Sequence, residues 1–388
     1  MMEMDLANRL NGIGEYYFSR KLKEIELLNR EGVPVINLGI GSPDQPPHPN
    51  VVRKLQEAAA RPDVHAYQSY KGAELLRKAF ANWYRQWYGV DLDPATEILP
   101  LIGSKEGIMH ICMTYLNEGD EALIPNPGYP TYSSAVRLAG GQCRNYELKE
   151  ATNWQIDLDA LETEDLSRVK LMWVNYPHMP TGQLPTPGLF EKLVNFGKKH
   201  GILICHDNPY SFILNDNPMS LLSAPGAKDV VIELNSLSKS HNMAGWRVGV
   251  LVGAAERIEE VLRFKSNMDS GMFLPLQLAA AEALALDASW YEEVNAVYRG
   301  RREKAYELLN LLDCSCSTQQ AGMFLWAGIP QGYADGFALS DEVLQKAKVF
   351  ITPGGIFGSA GDHFLRVSLC SPIEKFEEAM KRIKEAYQ

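Results

Sequence analysis

Apolar runs of five or six residues alternate with helix-like stretches through the middle of the chain. These runs cover residues 169–174, 201–205, 230–234 and 248–253. Apolar runs of this length, bounded by turn residues, are typical of buried strands. Buried strands that alternate with helices favour a mostly parallel sheet joined by right-handed crossovers. The pattern therefore predicts an α/β fold for this part of the chain.

The outer parts of the chain show mainly helical patterns. We expect a helix over about residues 15–30 and helical structure over 49–88, with a break near residue 61. A stretch rich in Ala, Leu and Glu predicts helix over 275–312. Two apolar runs, 323–326 and 364–368, then indicate a smaller α+β domain that closes with a helix.

The composition is that of a soluble globular protein, with 46% hydrophobic and 22% charged residues. A chain of 388 residues can bury a large core and divide into about two domains. The net charge of −10 argues against a broad surface for nucleic acid or a membrane. No apolar run approaches the roughly 18 residues that span a bilayer. Early acidic residues and no apolar signal segment lead us to expect a cytoplasmic protein.

The six cysteines are scattered along the chain, and only Cys314 and Cys316 are close in sequence. A Cys-x-Cys pair alone does not make a metal site. We interpret the cysteines as reduced thiols of a cytosolic protein and expect no bound metal.

The strongest chemical signal lies between the last two central runs. Lys239 follows the hydroxyls of Ser236 and Ser238, and Arg247 comes eight residues later. Lysine forms a Schiff base with an aldehyde, and serine and arginine are suitable partners for a phosphate. Pyridoxal phosphate carries both groups. From these residues alone, a surface loop with ordinary charges remains the alternative.

Two more polar stretches follow predicted strands. Gly103-Ser-Lys-Glu-Gly107 lies between the strand 98–102 and a helix, and such a turn offers free backbone N–H groups to an anion. His206-Asp-Asn-Pro-Tyr210 follows the run 201–205. Ligands of α/β sheets bind at the carboxyl ends of the strands. We therefore expect these polar residues to lie together.

Several residues near the N-terminus have two interpretations. Tyr16, Tyr17 and Phe18 form an aromatic cluster in the first predicted helix, where packing and a substrate-facing role are equally open. Tyr67 precedes a predicted helix, where a tyrosine is more often a packing residue. Gly41 allows a ligand to approach the backbone closely, but alone it signals only a turn.

Together these motifs resemble those of class I/II aminotransferases, the aspartate aminotransferase-like group of fold type I pyridoxal-phosphate enzymes. The resemblance runs from about residue 33 to the C-terminus. Its most specific parts are Ser-x-Ser-Lys-(x)7-Arg over 236–247 and the Asp-x-x-Tyr that begins 32 residues before the lysine. The resemblance implies a three-layer α/β/α large domain with a mostly parallel sheet, and a smaller α+β domain. It implies an N-terminal arm and part of the small domain over 1–46, the large cofactor-binding domain over 47–284, and the rest of the small domain over 285–388.

The resemblance also implies roles for single residues around the cofactor ring. Lys239 would hold pyridoxal 5′-phosphate and, once freed, move the substrate Cα proton. Because a free lysine is a poor base at neutral pH, the site must lower its pKa, and the charge of Arg247 would help. Asp207 would face the pyridine nitrogen, Tyr210 would donate to the phenolic oxygen, and Tyr129 would stack on the ring.

Further residues would bind the phosphate and the substrate. The implied phosphate ligands are Ser104, Lys105, Ser236, Ser238 and Arg247. Tyr67 would reach the phosphate of a partner subunit, which implies a homodimer with shared sites. Arg366 would bind the substrate α-carboxylate as a bidentate pair, with the Gly41 amide and Tyr16 beside it.

One position departs from the family pattern. The family usually reads Asn-Pro-Thr-Gly where this chain has Met179-Pro-Thr-Gly, and a thioether cannot donate the hydrogen bond that asparagine gives the phenolic oxygen. Either Tyr210 alone holds that oxygen, or His178 or Asn175 replaces the missing donor. We expect the lost donor to raise the pKa of the bound cofactor.

The resemblance favours a transaminase of amino-acid metabolism that moves the amino group of an L-amino acid to a 2-oxo acid, often 2-oxoglutarate, by a ping-pong route. Stretches such as 39–44, 103–107, 238–247 and 267–271 look most like those of LL-diaminopimelate aminotransferases. They are cofactor and scaffold motifs, so they indicate kinship better than substrate. A carbon–sulfur β-lyase on the same fold is the main alternative, and a non-catalytic sensor of the cofactor is a third.

Overall fold

The computed structural model describes residues 5–11, 13–15, 17–32 and 34–387. Its strands are β1 Ile36–Asn37, β2 Ile98–Leu101, β3 Glu121–Asn126, β4 Gln142–Glu147, β5 Val169–Val174, β6 Leu203–Asp207, β7 Val231–Ser236, β8 Gly249–Gly253, β9 Ser315–Cys316, β10 Phe324–Gly328, β11 Val349–Phe350, β12 Thr352–Pro353 and β13 Phe364–Ser368.

The helices of the same described residues are α1 Tyr17–Arg30, α2 Pro49–Ala59, α3 Glu74–Tyr88, α4 Ser104–Tyr115, α5 Pro130–Leu138, α6 Leu158–Leu161, α7 Leu189–His200, α8 Leu237–Ser240, α9 Ala255–Lys265, α10 Leu274–Leu284, α11 Ala288–Leu311, α12 Gly336–Ala347 and α13 Ile373–Tyr387. None of them combines the length and the apolar character needed to cross a membrane.

A seven-stranded sheet forms the centre of the molecule, in the order β2-β8-β7-β6-β5-β3-β4. Strands β4, β3, β5, β6 and β7 pair in parallel, whereas β8 is antiparallel to both of its neighbours. The prediction of a mostly parallel sheet is therefore confirmed.

Successive side chains of the central strands enter different apolar clusters. On β5, Leu171 and Trp173 pack on one face with Ile108 of α4. Met172 and Val174 pack on the other face, in the cluster that contains α3 and α7. Helices thus cover both faces of the sheet, which explains why these strands read as continuous apolar runs. The predicted three-layer α/β/α arrangement is confirmed.

A smaller antiparallel sheet, in the order β12-β13-β10-β9, lies towards the C-terminus. Strand β1 joins this region by pairing in parallel with β11. Leu38, the residue after β1, connects the last residues of β11 and β13. Its N–H donates to the carbonyl of Phe350, and its carbonyl accepts from the N–H of Ser368. The N-terminal segment therefore lies beside the end of β13. The domain boundaries at residues 47 and 285 stay predictions.

Three elements differ in detail from the sequence expectation. The helical stretch 49–88 is two helices, α2 and α3, separated by residues 60–73 rather than by a short break. The stretch 275–312 is also two helices, α10 and α11. Strand β4 was not expected, because its residues are mostly polar and partly exposed, as befits the edge of the sheet.

Candidate active site

A cavity of about 380 Å³ opens at the edge where the parallel strands end. The side chains and backbone that line it belong to Phe18, Leu22, Ile40, Gly41, Ser104, Lys105, Tyr129, Tyr132, Asn175, Met179, Asp207, Pro209, Tyr210, Ser236, Ser238, Lys239, Ala244, Arg247, Phe324, Phe357 and Arg366. Every candidate cofactor or substrate residue inferred from the sequence is here except Tyr67, apart from Tyr16, which lies outside the described residues.

Strand register explains why residues distant in the chain meet at this edge. Strands β6 and β7 run in parallel, with Asp207 opposite Leu234, so Asp207 ends one strand just before Ser236 ends the next. Strand β5 lies on the other side of β6, and Asn175 follows its last residue. Parallel strands bring their carboxyl ends to one edge, which is where the polar residues lie.

Lys239 lies on the short helix α8, directly after β7. Its Nζ donates a hydrogen bond to the carbonyl of Gly41 at 2.7 Å. Burial lowers the pKa of Lys239, and the cations of Arg366 and Arg247 add to that effect. The lowered pKa increases the fraction of neutral amine, which is the form that can attack a carbonyl or accept a proton.

Asp207 is buried and only partly hydrogen-bonded. Its Oδ2 accepts from the hydroxyl of Tyr132 at 2.8 Å. Its Oδ1 has no hydrogen-bond partner in the described part of the chain. Burial raises the pKa of Asp207 to about 6. An unpaired carboxylate oxygen in a buried wall is costly unless a ligand satisfies it.

Tyr132 was not predicted as a site residue. Its ring stacks on Trp173, with ring centroids 5.0 Å apart and an angle of 9° between the planes. It also meets the ring of Tyr129 edge-on at 5.6 Å. Tyr129 is the N-cap of α5 and Tyr132 is three residues later, in the first turn. That i, i+3 spacing is the sequence signal that could have revealed it.

An anion-binding arrangement occupies the opposite end of the cavity from Arg366. Ser104 begins α4, where free backbone N–H groups point outwards. The Oγ atoms of Ser236 and Ser238 are 3.0 Å apart, and Nη1 of Arg247 lies 3.4 Å from the Oγ of Ser238. Gly103 has a φ of +82°, which favours glycine, and a Cβ there would also displace the Arg247 guanidinium.

Lys105 adds a second cation to this end of the cavity. Burial lowers its pKa, and the charge of Arg247 lowers it further. Two neighbouring cations, two hydroxyls and a helix N-terminus are a donor set suited to a phosphate.

Arg366 projects from β13 at the other end. Its Nη2 donates to the carbonyl of Gly39 at 2.8 Å, and its Nη1 lies 3.5 Å from the Sδ of Met179. In β13, Arg366 pairs with Trp326 of β10 and with Thr352 of β12. A central position in the small sheet fixes the direction of the guanidinium.

Three phenyl rings surround the Arg366 guanidinium. Its Cζ lies 3.9 Å from the ring centroid of Phe324, 4.7 Å from Phe357 and 5.5 Å from Phe18. A Cβ at Gly41 would overlap the ring of Phe324, so glycine lets the backbone pass close to it. Neither Phe324 nor Phe357 was predicted as a site residue, because apolar residues in apolar strands give no such signal.

The family profile described as aminotransferase class I and II matches residues 33–383. The chain belongs to this family. It is an enzyme, a transaminase, and the fold and family resemblance inferred from its motifs are confirmed.

Relatives of this aminotransferase cover its whole length. It is 40% identical over 382 residues to the LL-diaminopimelate aminotransferase of Dehalococcoides mccartyi, covering 98% of both chains. It is 41% identical over 385 residues to that of Halothermothrix orenii, covering 99% of both. Among solved structures, apo-BacF from Bacillus subtilis superposes with a TM-score of 0.95 at 34% identity, covering 99% of this chain and 98% of the other. Aspartate aminotransferase from Thermotoga maritima gives 0.90 at 27% identity, covering 98% and 99%.

The aminotransferase has specific neighbours around its unusual Met179. Asn175 lines the cavity, but its Nδ2 donates to the carbonyl of Asp207 at 2.5 Å and its Oδ1 accepts from the Met179 N–H at 2.7 Å. His178 does not line the cavity, and its Nδ1 lies 2.8 Å from the Thr181 hydroxyl. Asn175 already has two local partners, and the Nε2 of His178, which has no hydrogen-bond partner among the described residues, does not line the cavity. This arrangement favours Tyr210 as the donor.

One described residue among those predicted does not line the cavity. Tyr67 is 91% exposed and lies outside the cavity of its own chain. Tyr16 lies outside the described residues.

One group of possible metal ligands lies apart from the cavity. Atoms of Glu106, His110 and Asp269 come within 4.8 Å of one another. The buried ammonium of Lys265 already pairs with Asp269 at 2.7 Å. A lysine cation beside the carboxylate disfavours a metal cation at this place.

Proposed function

We propose that this aminotransferase binds pyridoxal 5′-phosphate in the cavity and uses it to move an amino group from an L-amino acid to a 2-oxo acid. The residues fit that cofactor. Lys239 suits its aldehyde. The hydroxyls of Ser236 and Ser238 and the cations of Lys105 and Arg247 suit its phosphate. The observation that carries the proposal is the unpaired, buried Oδ1 of Asp207 in the same cavity as Lys239.

When bound, pyridoxal phosphate draws electrons away from the substrate Cα, which makes the Cα proton removable. Lys239 would hold the cofactor between reactions and then carry that proton as a base, for which its lowered pKa suits it. Asp207, whose carboxylate is fixed by the hydrogen bond from Tyr132, would keep a proton on the ring nitrogen. Tyr129 would pack against the ring, and Tyr210 would donate to its oxygen.

Arg366 binds the α-carboxylate of the substrate. A guanidinium offers two parallel N–H donors to a carboxylate, which orients the Cα–H bond as well as holding the molecule. The carbonyl of Gly39 and the small sheet hold the arginine in place. The Gly41 amide and Tyr16 complete the proposed substrate contacts.

We propose a homodimer in which Tyr67 of each subunit reaches the phosphate site of the other. The 91% exposure of Tyr67, large for a tyrosine, supports this arrangement. We also propose a cytoplasmic location. LL-diaminopimelate, named in the curated relatives, is a candidate donor, and 2-oxoglutarate is a candidate acceptor.

The test is an assay for amino transfer from a panel of amino acids to 2-oxoglutarate, pyruvate and phenylpyruvate. Substituting Lys239→Ala removes both the cofactor attachment and the base, so turnover should fall by about 10⁴-fold. Lys170→Ala, at an exposed position of β5, is the matched control and should retain full activity. Turnover that survives in Lys239→Ala would contradict the proposal.

The same assay separates amino transfer from the lyase alternative. A lyase releases ammonia and pyruvate without an added 2-oxo acid, whereas a transaminase requires the acceptor. The names of the curated relatives favour the second outcome.

A further inference from the structure

The segment 39–44 has no regular secondary structure, and its residues Ile40 and Gly41 line the cavity. Buried backbone groups outside helices and sheets need other hydrogen-bond partners. Three consecutive carbonyls of this segment accept from side chains. The pairs are Arg366 Nη2 with Gly39 at 2.8 Å, Ser368 Oγ with Ile40 at 2.8 Å and Lys239 Nζ with Gly41 at 2.7 Å. The segment therefore contacts both the small sheet and the helix that follows β7.

Two of these contacts reach residues with roles in the proposed reaction. Arg366 would bind the α-carboxylate of the substrate, and Lys239 would move the proton of the adjoining Cα. Because that carboxylate is bonded to Cα, the guanidinium and the amine need a fixed separation for the proton to be within reach. The carbonyls that accept from them are only two residues apart, so a shift of the segment would disturb both contacts.

A buried ion pair fixes the C-terminal end of the segment. The two carboxylate oxygens of Asp44 accept from Nη1 and Nη2 of Arg301, on α11, at 2.7 and 2.8 Å. Nη1 of Arg301 also donates to the carbonyl of Leu369, the residue after β13, at 3.1 Å. The Arg301 side chain is only 3% exposed, and a planar guanidinium with two parallel donors fixes both distance and direction. The pair thus ties the segment to the end of the strand that carries Arg366.

We propose that Asp44 and Arg301 are positioning residues, which hold the segment 39–44 where its carbonyls meet Arg366 and Lys239. This inference rests on the proposed function. Neither residue of the pair lines the cavity, so both act through the segment and not on the substrate. All of these contacts lie within one subunit. The same hold places the Gly41 amide, which is one of the proposed contacts of the α-carboxylate.

The first test weakens the pair from the arginine side. Arg301→Lys keeps the charge but loses the two parallel donors. With the fastest donor of the amino-acid panel, KM should rise about 10-fold, because Arg366 is less well oriented for the carboxylate, while kcat should fall by less than about threefold. The affinity for pyridoxal phosphate should stay within about twofold, since the proposed phosphate ligands lie outside the segment.

Arg299→Lys is the matched control, because Arg299 lies on the same helix in an exposed pair with Glu292. It should keep the wild-type KM, and an equal KM in the two variants would overturn the inference. If the wild-type holoenzyme transfers no amino group from any donor of the panel, the proposed function fails instead.

The second test measures whether Arg301 acts through Arg366. Effects of residues in one network are not additive, whereas independent effects add. In the Arg366→Lys background, Arg301→Lys should therefore raise KM by no more than about twofold. A further rise of about 10-fold in that background would mean that the pair affects KM without Arg366, and would contradict the inference.

The third test removes the charge of the other member of the pair. Asp44→Asn leaves the buried Arg301 without its counter-charge, so the melting temperature should fall along with the rise in KM. Asp229→Asn, which breaks an exposed pair with Lys198, is the control and should change neither quantity. A lower melting temperature with an unchanged KM would assign the pair to stability alone and overturn the inference. If Asp44→Asn does not fold, the KM values of Arg301→Lys in the two backgrounds decide.

Discussion

The two ends of the cavity are built in different ways. The phosphate end comes from segments that each adjoin a strand of the seven-stranded sheet, around Ser104, Ser236 and Arg247. The Arg366 end comes from α1, the segment after β1, Met179 after β5, β10, Phe357 and β13, and its outermost members, Phe18 and Arg366, lie near opposite ends of the chain. The phosphate end thus combines two short motifs, whereas the Arg366 end gathers single residues from several segments.

The chemistry of the two ends differs in the same way. A phosphate needs hydroxyls, cations and free N–H groups in a fixed arrangement, and a short motif can supply all three. The Arg366 end is walled mainly by apolar side chains, and many combinations of apolar residues can provide such a surface. The phosphate end should therefore tolerate few substitutions, while the apolar end can change specificity without losing the reaction.

Asp207→Asn is expected to have the largest effect on this comparison, because Asp207 stands between the two ends. An amide cannot keep a proton on the ring nitrogen by charge, so kcat should fall by about 10³-fold with every donor. Steady-state kinetics with a charged and an apolar donor measure this fall in kcat. A loss confined to one donor class would mean that Asp207 acts on specificity instead of on chemistry.

Asp207→Asn should lower activity but increase the free energy of unfolding at alkaline pH. The pKa of about 6 in the folded protein lies above that of an unfolded aspartate, so the folded state binds the proton more tightly. That contribution is fully present below about pH 4 and is lost as the pH rises through 6. At pH 8 the cofactor-free Asp207→Asn protein should be more stable by about 3 kcal/mol. Denaturant unfolding at pH 4 and pH 8 measures this, with the exposed Asp216→Asn as the unchanged control.

Arg366→Lys is the next largest expected change and acts on the apolar end alone. Lysine keeps the charge but loses the planar pair of donors, so kcat/KM should fall by about 100-fold, mainly through KM. The affinity for pyridoxal phosphate should stay the same, since the phosphate end is intact. Arg382→Lys on α13 is the control. A loss of cofactor affinity comparable to the loss of kcat/KM would show that the two ends are not separate.

Met179→Asn should give the smallest effect. It restores a donor near the cofactor oxygen, and one added hydrogen bond should lower the spectral pKa of the bound cofactor by about one unit. Met179→Leu, which keeps the volume but adds no donor, should leave that pKa unchanged. An absorbance titration against pH compares the three proteins, and an unchanged pKa in Met179→Asn would exclude the effect.

Sequence reasoning predicted the fold and the family for physical reasons that this comparison makes clear. Buried parallel strands read as apolar runs, and glycine, serine, lysine and arginine at their ends carry strong local constraints. The spacing of Lys239 and Arg247 indicated an aminotransferase motif once it was combined with Asp207 and Tyr210 earlier in the chain. The roles of these residues stay proposals.

The apolar end could not be read in the same way. Phe324 and Phe357 look like ordinary core residues, because only the tertiary packing places their rings beside Arg366. Tyr132 was missed for a related reason, since its hydrogen bond to Asp207 joins residues 75 positions apart. The polar edge strand β4 lacked the apolar pattern by which strands are recognised.

The reversed direction of β8 has a geometric consequence for the phosphate end. Because β8 runs against β7, the residues just before it lie at the edge where the other strands end. The chain can thus deliver Lys239 while leaving the sheet and Arg247 while re-entering it, within one excursion over residues 237–248. The length of that excursion sets the span between the Lys239 side chain and the Arg247 guanidinium. Insertions or deletions there would change this span.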